Sequence, residues 1–266
     1  MHPLDGPRAK VAQAKEQIAL LQFESQRFFS RQVGAARIGA YNRKTRMYKL
    51  HLPDGIQTPP EWGVWIGEIA HNLRSGLDNL LCQLVIRRHP NRGWRLCQQA
   101  RTAFPIYLYG PRTTKRGKDS QRFTRAKSIR LGKMIGLRNL ARVKRCQPYH
   151  RRNGRWLSPL WLLSELNNAD KHNLIITAGG FSSGTSLHPI IGDIVHLADS
   201  GVHHEPSAKA DVEAARSKMD MYVESFHEIT FGEGCDAVQD FPVIQTLTAI
   251  ADEASRTVED FADQFP

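Results

Sequence analysis

The sequence predicts an α+β protein that is predominantly α-helical, with a helical bundle core and small β-hairpin and strand additions. Apolar residues recur at helical spacing over several long segments, and shorter extended segments lie between turn residues. The chain has 266 residues, of which 41% are hydrophobic, and this is enough for a sizeable buried core. We expect a single domain over 1–266, with a basic insertion at about 87–156 and an acidic helical C-terminal part at about 203–266.

The longest predicted helix runs over 59–89 and carries a seam of polar residues. It starts at Pro59-Pro60, because proline is tolerated in the first turn of a helix. The polar seam consists of Glu68, His71, Asn72, Arg74, Ser75, Asp78 and Asn79. Four of these, from His71 to Asp78, fall at i, i+3, i+4 and i+7 and so share one face. Buried polar groups are costly without partners, so the seam predicts hydrogen-bonding partners, a water-filled cleft, or both.

Further helices are predicted from the same spacing of apolar residues. They cover 8–31, 120–145 (with a weak, narrow apolar stripe), 158–172, 208–228 and 242–265. The segment from Tyr222 to Phe231 also fits a strand. We expect the core to form from the helices at 9–31, 59–89 and 158–173 together with the C-terminal pair.

The β additions are short. A hairpin is predicted over 35–52, with its turn at Asn42-Arg43-Lys44, and a short extended segment is predicted over 103–108. Two strands, 174–177 and 193–197, are expected on either side of a loop rich in Gly and Ser. The glycines of that loop lack the strand-loop-helix context of a dinucleotide site.

The sequence also predicts where the protein resides. No apolar run approaches the roughly 18 residues that a membrane helix needs, and the first residues, Met1 to Pro7, contain no apolar core of a secretory signal. The four cysteines are isolated in the sequence, which favours free thiols in a reducing compartment over disulfides or a zinc site. We therefore predict a cytoplasmic protein without a membrane partner.

Charge is distributed very unevenly along the chain. From Ile86 to Arg155 there are 21 Lys and Arg and one acid, whereas His203 to Pro266 holds 14 acids and 4 basic residues. Such a basic segment predicts a polyanionic partner, and interspersed aromatics (Phe123, Tyr149, Trp156) favour RNA or single-stranded nucleic acid. The candidate nucleic-acid-binding residues are Arg116, Arg122, Arg125, Lys127, Arg130, Lys133, Arg142, Lys144, Arg145, Arg151 and Arg152. Two alternatives are neutralisation by the acidic part and a solvated basic loop.

Several short motifs resemble those of a bacterial and phage protein family that has no assigned activity. Its core reads Gly-Glu-x-x-His-Asn-Leu-Arg-Ser-x-Leu-Asp-His, followed by Phe-Pro-Ile, Gln-Pro-Tyr and Asp-Lys-His. The matching residues here are Gly67-Glu68, His71 to Ser75, Leu77-Asp78, Phe104 to Ile106, Gln147 to Tyr149 and Asp170 to His172. The resemblance covers roughly residues 10–180 and implies kinship without a chemistry.

The chain also distantly resembles HEPN-type helical domains, whose ribonuclease members place Arg and His motifs at a dimer interface and cleave RNA without metal. This resemblance implies a homodimer and no cofactor, with Arg74 holding the scissile phosphate. His71 or His172 would transfer protons, and Asp78 and Asp170 would orient them. A guanidinium can stabilise the developing charge and an imidazole titrates near neutral pH. Asn79 stands where relatives tend to have His, and asparagine cannot transfer a proton.

Other interpretations of the same residues stay open. Arg74, Asp78, Glu68, Asp170 and Lys171 could form a purely structural ion-pair network between two helices. Two Glu-x-x-His pairs, Glu68/His71 and Glu224/His227, match the spacing of a di-metal helical bundle, with Glu165 and Glu253 as further ligands. A second metal patch would comprise His188, His196, His203, His204 and Glu205. A non-enzymatic phage or prophage accessory protein that binds nucleic acid or a protein partner is the main alternative function.

Overall fold

The computed structural model describes residues 2–32, 37–42, 47–51, 57–99, 103–110, 121–151, 154–172, 175, 177–188, 195–198, 201–203 and 222–265. The chain divides into two compact units. The first unit contains Met1–Leu21, Pro59–Thr177 and Phe231–Pro266, and the second contains Gln22–Thr58 and Ala178–Thr230. The predicted fold class is confirmed: the structure is predominantly helical, with β elements in addition to its helical core.

The described residues form seven α-helices and three short 3-10 turns. They are α1 (Asp5–Gln32), α2 (Glu61–Arg88), α3 (Gly93–Gln99), α4 (Arg125–Ile135), α5 (Leu137–Arg145), α6 (Pro159–His172) and α7 (Val243–Glu259). The 3-10 turns are Pro148–His150, Arg155–Leu157 and Ala262–Gln264. The helices predicted at 8–31, 59–89, 158–172 and 242–265 are therefore confirmed.

Helix α2 is the centre of the first unit. It packs against α3, α4, α6 and α7, and its apolar residues Ile66, Leu73 and Leu80 are fully buried. Burying a side chain of this size contributes about 1.5–3 kcal/mol relative to leaving it exposed. The apolar pattern of the sequence thus identifies the helix around which the other helices assemble.

Two helical predictions need correction. The sequence predicts no helix between 89 and 120, but α3 forms at Gly93–Gln99 with Gly93 and Cys97 buried. The single helix predicted at 120–145 is two helices, because Gly136 between α4 and α5 has φ of 85°. That conformation is open to glycine and strained for other residues, so it ends α4 there.

The second unit is built on a six-stranded sheet. Its strands are β1 (Arg37–Asn42), β2 (Met47–His51), β3 (Thr177–His188), β4 (Val195–Ala198), β5 (Gly201–His203) and β6 (Tyr222–Phe231), in the spatial order β1-β2-β5-β4-β3-β6. Strands β1 and β2 pair antiparallel, with Ile38 opposite Leu50, which confirms the predicted hairpin.

One β prediction is also corrected, and one segment that fitted either a helix or a strand is assigned. The Gly/Ser-rich segment expected as a loop belongs to the 12-residue strand β3, because strand pairing outweighs the low strand propensity of glycine. Residues Tyr222–Phe231 form strand β6, which is one of the two structures that the sequence allows there. Among the described residues of the C-terminal part, α7 is the only α-helix. The remainder of the predicted helix at 208–221 lies outside the described residues.

The polar segment 111–120 also lies outside the described residues. Within the described part of the chain, no helix has the length and hydropathy that crossing a membrane would require.

Candidate functional site

At the centre of the polar seam, Arg74 and Asp78 hold the loop at 103–110, and we call these two residues the clamp. The Asp78 carboxylate accepts the backbone N–H of Phe104 at 2.7 Å, and Arg74 Nη2 donates to the Phe104 carbonyl at 2.6 Å. Arg74 and Asp78 also form an ion pair at 3.2 Å, one turn apart on α2. The Phe104 side chain is fully buried. Both polar groups of its backbone are therefore satisfied by α2.

The same loop is held from its other side by Gln147. The Gln147 side chain accepts the backbone N–H of Tyr107 at 2.9 Å and donates to the carbonyls of Pro105 (2.8 Å) and Val143 (3.0 Å). Gln147 is only 2% exposed, so these hydrogen bonds are made away from water. The Phe-Pro-Ile and Gln-Pro-Tyr motifs of the sequence thus meet in one structural network with Arg74 and Asp78.

Burial raises the pKa of Asp78, while the charges of Arg74 and Lys171 and the Phe104 N–H act against that rise. The guanidinium of Arg74 compensates the carboxylate only in part, since the loop excludes water from it. Arg74 and Asp78 are therefore a partly desolvated ion pair, and both side chains also form hydrogen bonds with the backbone of Phe104.

A separate open groove lies one turn earlier along α2. Its volume is about 430 Å³, and its lining residues are Gln17, Val64, Gly67, Glu68, His71, Asn72 and Asp170. Gly67 permits the close approach of α6, because a Cβ at this position would lie 1.9 Å from Asp170 Oδ1. The glycine of the Gly-Glu motif therefore lets the Asp170 carboxylate reach the groove that also exposes His71.

Helix α1 completes this groove with polar side chains. Lys10 Nζ donates to Asn72 Oδ1 at 3.2 Å, Asn72 Nδ2 donates to Gln17 Oε1 at 3.0 Å, and Gln17 Nε2 donates to Glu68 Oε2 at 3.4 Å. The sequence did not indicate this contribution of α1. Helical spacing shows which residues of one helix share a face but not which helix lies opposite.

Four of the five candidate catalytic residues therefore fall into two sets. His71 and Asp170 line the groove, while Arg74 and Asp78 clamp the Phe104 loop. His172 is the last residue of α6, and its side chain lies outside the described part of the chain. The structural network proposed as an alternative exists in a different form, since its ion pair holds a loop and not the α6 helix.

The second Glu-x-x-His pair of the di-metal interpretation does not lie on a helix. Glu224 and His227 lie on strand β6, where residues three apart do not share a face as they do on a helix. Among the described side chains, no group of three or more His, Cys, Asp or Glu is arranged to hold a metal ion. Of the predicted histidine patch, His188, His196 and His203 belong to strands β3, β4 and β5, and His204 and Glu205 lie outside the described residues.

Part of the basic segment is engaged within the protein. Arg142 Nη2 donates to Asp263 Oδ2 at 2.7 Å, and Arg151 lies 3.8 Å from Glu253. Lys127 Nζ donates to the Arg122 carbonyl at 2.9 Å. Acidic residues of the C-terminal segment thus neutralise some of the predicted cations, as one alternative anticipated.

Another part of the basic segment remains exposed. Arg125, Arg130 and Lys133 on α4 and Arg145 on α5 are exposed, and no acid among the described residues forms an ion pair with them. We call these four residues the cationic surface. Thr124 caps the start of α4 by accepting the N–H of Lys127 at 3.2 Å. Arg116 and Arg152 lie outside the described residues, and Lys144 lies over the Phe123 ring at 5.9 Å.

The aromatics of the basic segment mostly pack internally. Phe123 is 1% exposed and stacks on Tyr107 with ring centroids 5.0 Å apart. Tyr149 is half-buried beside Phe123, at 6.3 Å. Trp156 is 49% exposed but lies edge-on to Tyr109 at 5.9 Å. These rings therefore hold the loop and α4 in place.

Comparison of the chain with models of protein families, with curated proteins and with solved structures finds no match.

Proposed function

We propose that the protein binds nucleic acid, with RNA favoured, through the cationic surface of α4 and α5. The observation that carries this proposal is the exposure of Arg125, Arg130, Lys133 and Arg145 without an acidic partner among the described residues. The 11 residues of α4 include no acid. Cations of this kind neutralise phosphates and release their counterions, which supplies most of the sequence-independent affinity for nucleic acid.

The packing beneath α4 supports a preorganised surface. The Tyr109 carbonyl accepts the Phe123 N–H at 2.8 Å, and the Gln121 carbonyl accepts the Tyr109 N–H at 3.0 Å. These hydrogen bonds fix the chain directly before α4 to the loop that Arg74 and Asp78 clamp. A surface held in place before binding loses less conformational entropy when the ligand arrives.

The binding proposal is tested with a fluorescently labelled 20-nucleotide RNA and the full chain. Reversing two charges in Arg125→Glu/Arg130→Glu is expected to weaken binding strongly without changing the midpoint of thermal unfolding. The matched control Arg27→Glu/Arg31→Glu makes the same charge change on α1, where both residues are also exposed. Equal losses in the two variants would mean that net charge alone governs binding, and the proposed surface would be rejected.

A second candidate function is cleavage of RNA in the groove between α1, α2 and α6, as the HEPN resemblance implies. It is favoured by one observation, the presence of His71 and Asp170 on the same groove. His71 is exposed and could transfer a proton at a bound phosphodiester, with Asp170 orienting the imidazole. Arg74 would contribute only through N–H groups that the clamp leaves available.

Incubation of purified protein with total RNA, with and without EDTA, tests this second function. Cleavage that survives EDTA and is lost in His71→Ala supports a metal-independent ribonuclease. The control Glu68→Gln alters another exposed residue of the same groove and should retain activity. Intact RNA after incubation with the wild-type chain would reject cleavage and leave the non-enzymatic binding protein.

A further inference from the structure

The exposed face of α3 carries a single tryptophan. Trp94 is 63% exposed, more than any of the other four tryptophans of the chain. Among the described residues, no aromatic ring stacks on it and no cation lies over it. A single exposed apolar side chain is common on protein surfaces, so the residues around Trp94 decide whether its face is an interaction surface.

Helix α3 is anchored against α2. Its residues Gly93 and Cys97 are buried there, and the Cys97 thiol donates to the Cys82 carbonyl at 3.5 Å. The Gly93 N–H donates to the His89 carbonyl at 2.6 Å where the chain turns from α2 into α3. Trp94 is therefore presented by an anchored element, which lowers the entropic cost of using it for binding.

The surroundings of Trp94 are cationic. Arg88, Arg92 and Arg95 are all exposed, and no acid among the described residues pairs with them. The sequence from Ile86 to Gln99 contains no acid. His89 Nε2 lies 3.3 Å from the carbonyl of Lys133, so the turn into α3 adjoins α4 and its cationic surface.

We propose that the Trp94 face of α3 binds single-stranded nucleic acid, with the indole stacking on an unpaired base and Arg88, Arg92 and Arg95 neutralising the flanking phosphates. This inference rests on the proposed function and extends it from polyanion binding to a preference for unpaired bases. In a duplex, neighbouring base pairs already cover the faces of each base, whereas a single strand offers them to an aromatic ring. The one apolar side chain on this face is too little for insertion into a membrane surface.

The test uses the full chain and three labelled probes: 12-nucleotide oligo-U, 12-nucleotide oligo-dT and a blunt 12-base-pair DNA duplex. Trp94→Ala is expected to weaken binding of both single strands about tenfold, because the base loses the aromatic ring on which it stacks. Trp94→Phe should restore most of the affinity, and duplex binding should change less than about twofold. The control Phe23→Ala removes another exposed aromatic ring, on α1 and outside the cationic surface, and should leave all three unchanged.

The outcomes separate this inference from the function on which it rests. Unchanged single-strand binding in Trp94→Ala, alongside a loss in Arg125→Glu/Arg130→Glu, would overturn the role of Trp94 and leave the nucleic-acid proposal standing. Equal losses on single strands and duplex would show a structural effect and also overturn it. Failure of the wild-type chain to bind any probe would overturn both proposals. Binding to vesicles of phosphatidylserine and phosphatidylcholine, but to no oligonucleotide, would assign the face to a membrane surface.

Discussion

The carboxylate of Asp78 accepts the backbone N–H of Phe104 at 2.7 Å, so a charged residue of α2 holds a loop 26 positions further along the chain. From this loop, Tyr107 stacks on Phe123, two residues before α4 begins. The polar seam of α2 and the cationic surface of α4 are thus linked by one short path of hydrogen bonds and ring contacts. The first role of the seam is to place the loop on which α4 is supported.

Removing the guanidinium from this clamp should destabilise the fold. Arg74→Ala leaves the Phe104 carbonyl and the half-buried Asp78 carboxylate without their partner, and such losses cost about 1–3 kcal/mol. The measurement is urea unfolding followed by circular dichroism. Arg88→Ala is the matched control on the exposed end of α2, with an expected change within about 0.5 kcal/mol. If the two variants lose the same stability, Arg74 does not serve as a clamp.

A charge at position 147 should be tolerated worse than a truncation. Gln147→Ala removes three hydrogen bonds, which predicts a loss of about 1–3 kcal/mol in the free energy of unfolding. Gln147→Glu turns a carboxylate oxygen toward the carbonyls of Pro105 and Val143 in a buried site, so we expect a larger loss. Acidification should partly rescue Gln147→Glu, because a protonated carboxyl can donate again. Urea unfolding at pH 7 and pH 5 checks this prediction, and a milder effect of Glu than of Ala would contradict it.

The raised pKa of Asp78 gives the pH dependence of stability a defined sign. Burial makes the folded protein bind this proton more tightly than the unfolded chain does. The contribution is therefore fully present below the unfolded pKa and is lost as the pH rises through the folded pKa. Relative to Asp78→Asn, which cannot titrate, the wild-type protein should gain stability as the pH falls from 7 to 4. Urea titrations of both proteins at each pH measure this difference. A wild-type protein that loses stability relative to Asp78→Asn as the pH falls would show that folding lowers the pKa of Asp78.

Two cysteine thiols should react slowly in the folded protein. Burial raises the pKa of Cys82 to about 12, with the Cys97 thiol adding to the rise, and burial also raises the pKa of Cys146 to about 12. Thiolate is the reactive species, so at pH 8 the reactive fraction should be about a thousandfold below that of a thiol with the ordinary pKa of 9.0. Alkylation by iodoacetamide, mapped by mass spectrometry in buffer and in concentrated urea, provides the measurement. Comparable rates in the two conditions would contradict the burial.

The long helices could be predicted because their own residues carry the signal. Helix α2 repeats apolar residues such as Leu73, Leu77 and Leu80 over many turns, so periodicity alone identifies it. Helix α3 buries little more than Gly93 and Cys97, and seven residues give too few turns for a periodic pattern. The apolar spacing of strand β6 fits both a helical and a strand period, so the sequence does not distinguish the two there.

Only part of the candidate site can be predicted from the sequence in the same way. The pair Arg74 and Asp78 is local, at i and i+4, and helical geometry predicts it. Its partner Phe104 comes from a distant loop, and no pattern in α2 specifies where that loop returns. Likewise, the sequence shows how many cations lie between 87 and 156, but only the fold separates the paired Arg142 from the exposed Arg130.

The salt dependence of RNA binding tests the central claim most directly. The equilibrium constant of the wild-type chain for a single-stranded 20-nucleotide RNA should fall linearly with salt on a double logarithmic plot. For Arg125→Gln/Arg130→Gln the slope should be shallower by about 1.4, because each phosphate contact with a single strand contributes about 0.7. The charge-matched control Arg27→Gln/Arg31→Gln should keep the wild-type slope. Binding indifferent to salt, or identical slopes in all three proteins, would contradict the cationic surface of α4 and α5 as the nucleic-acid interface.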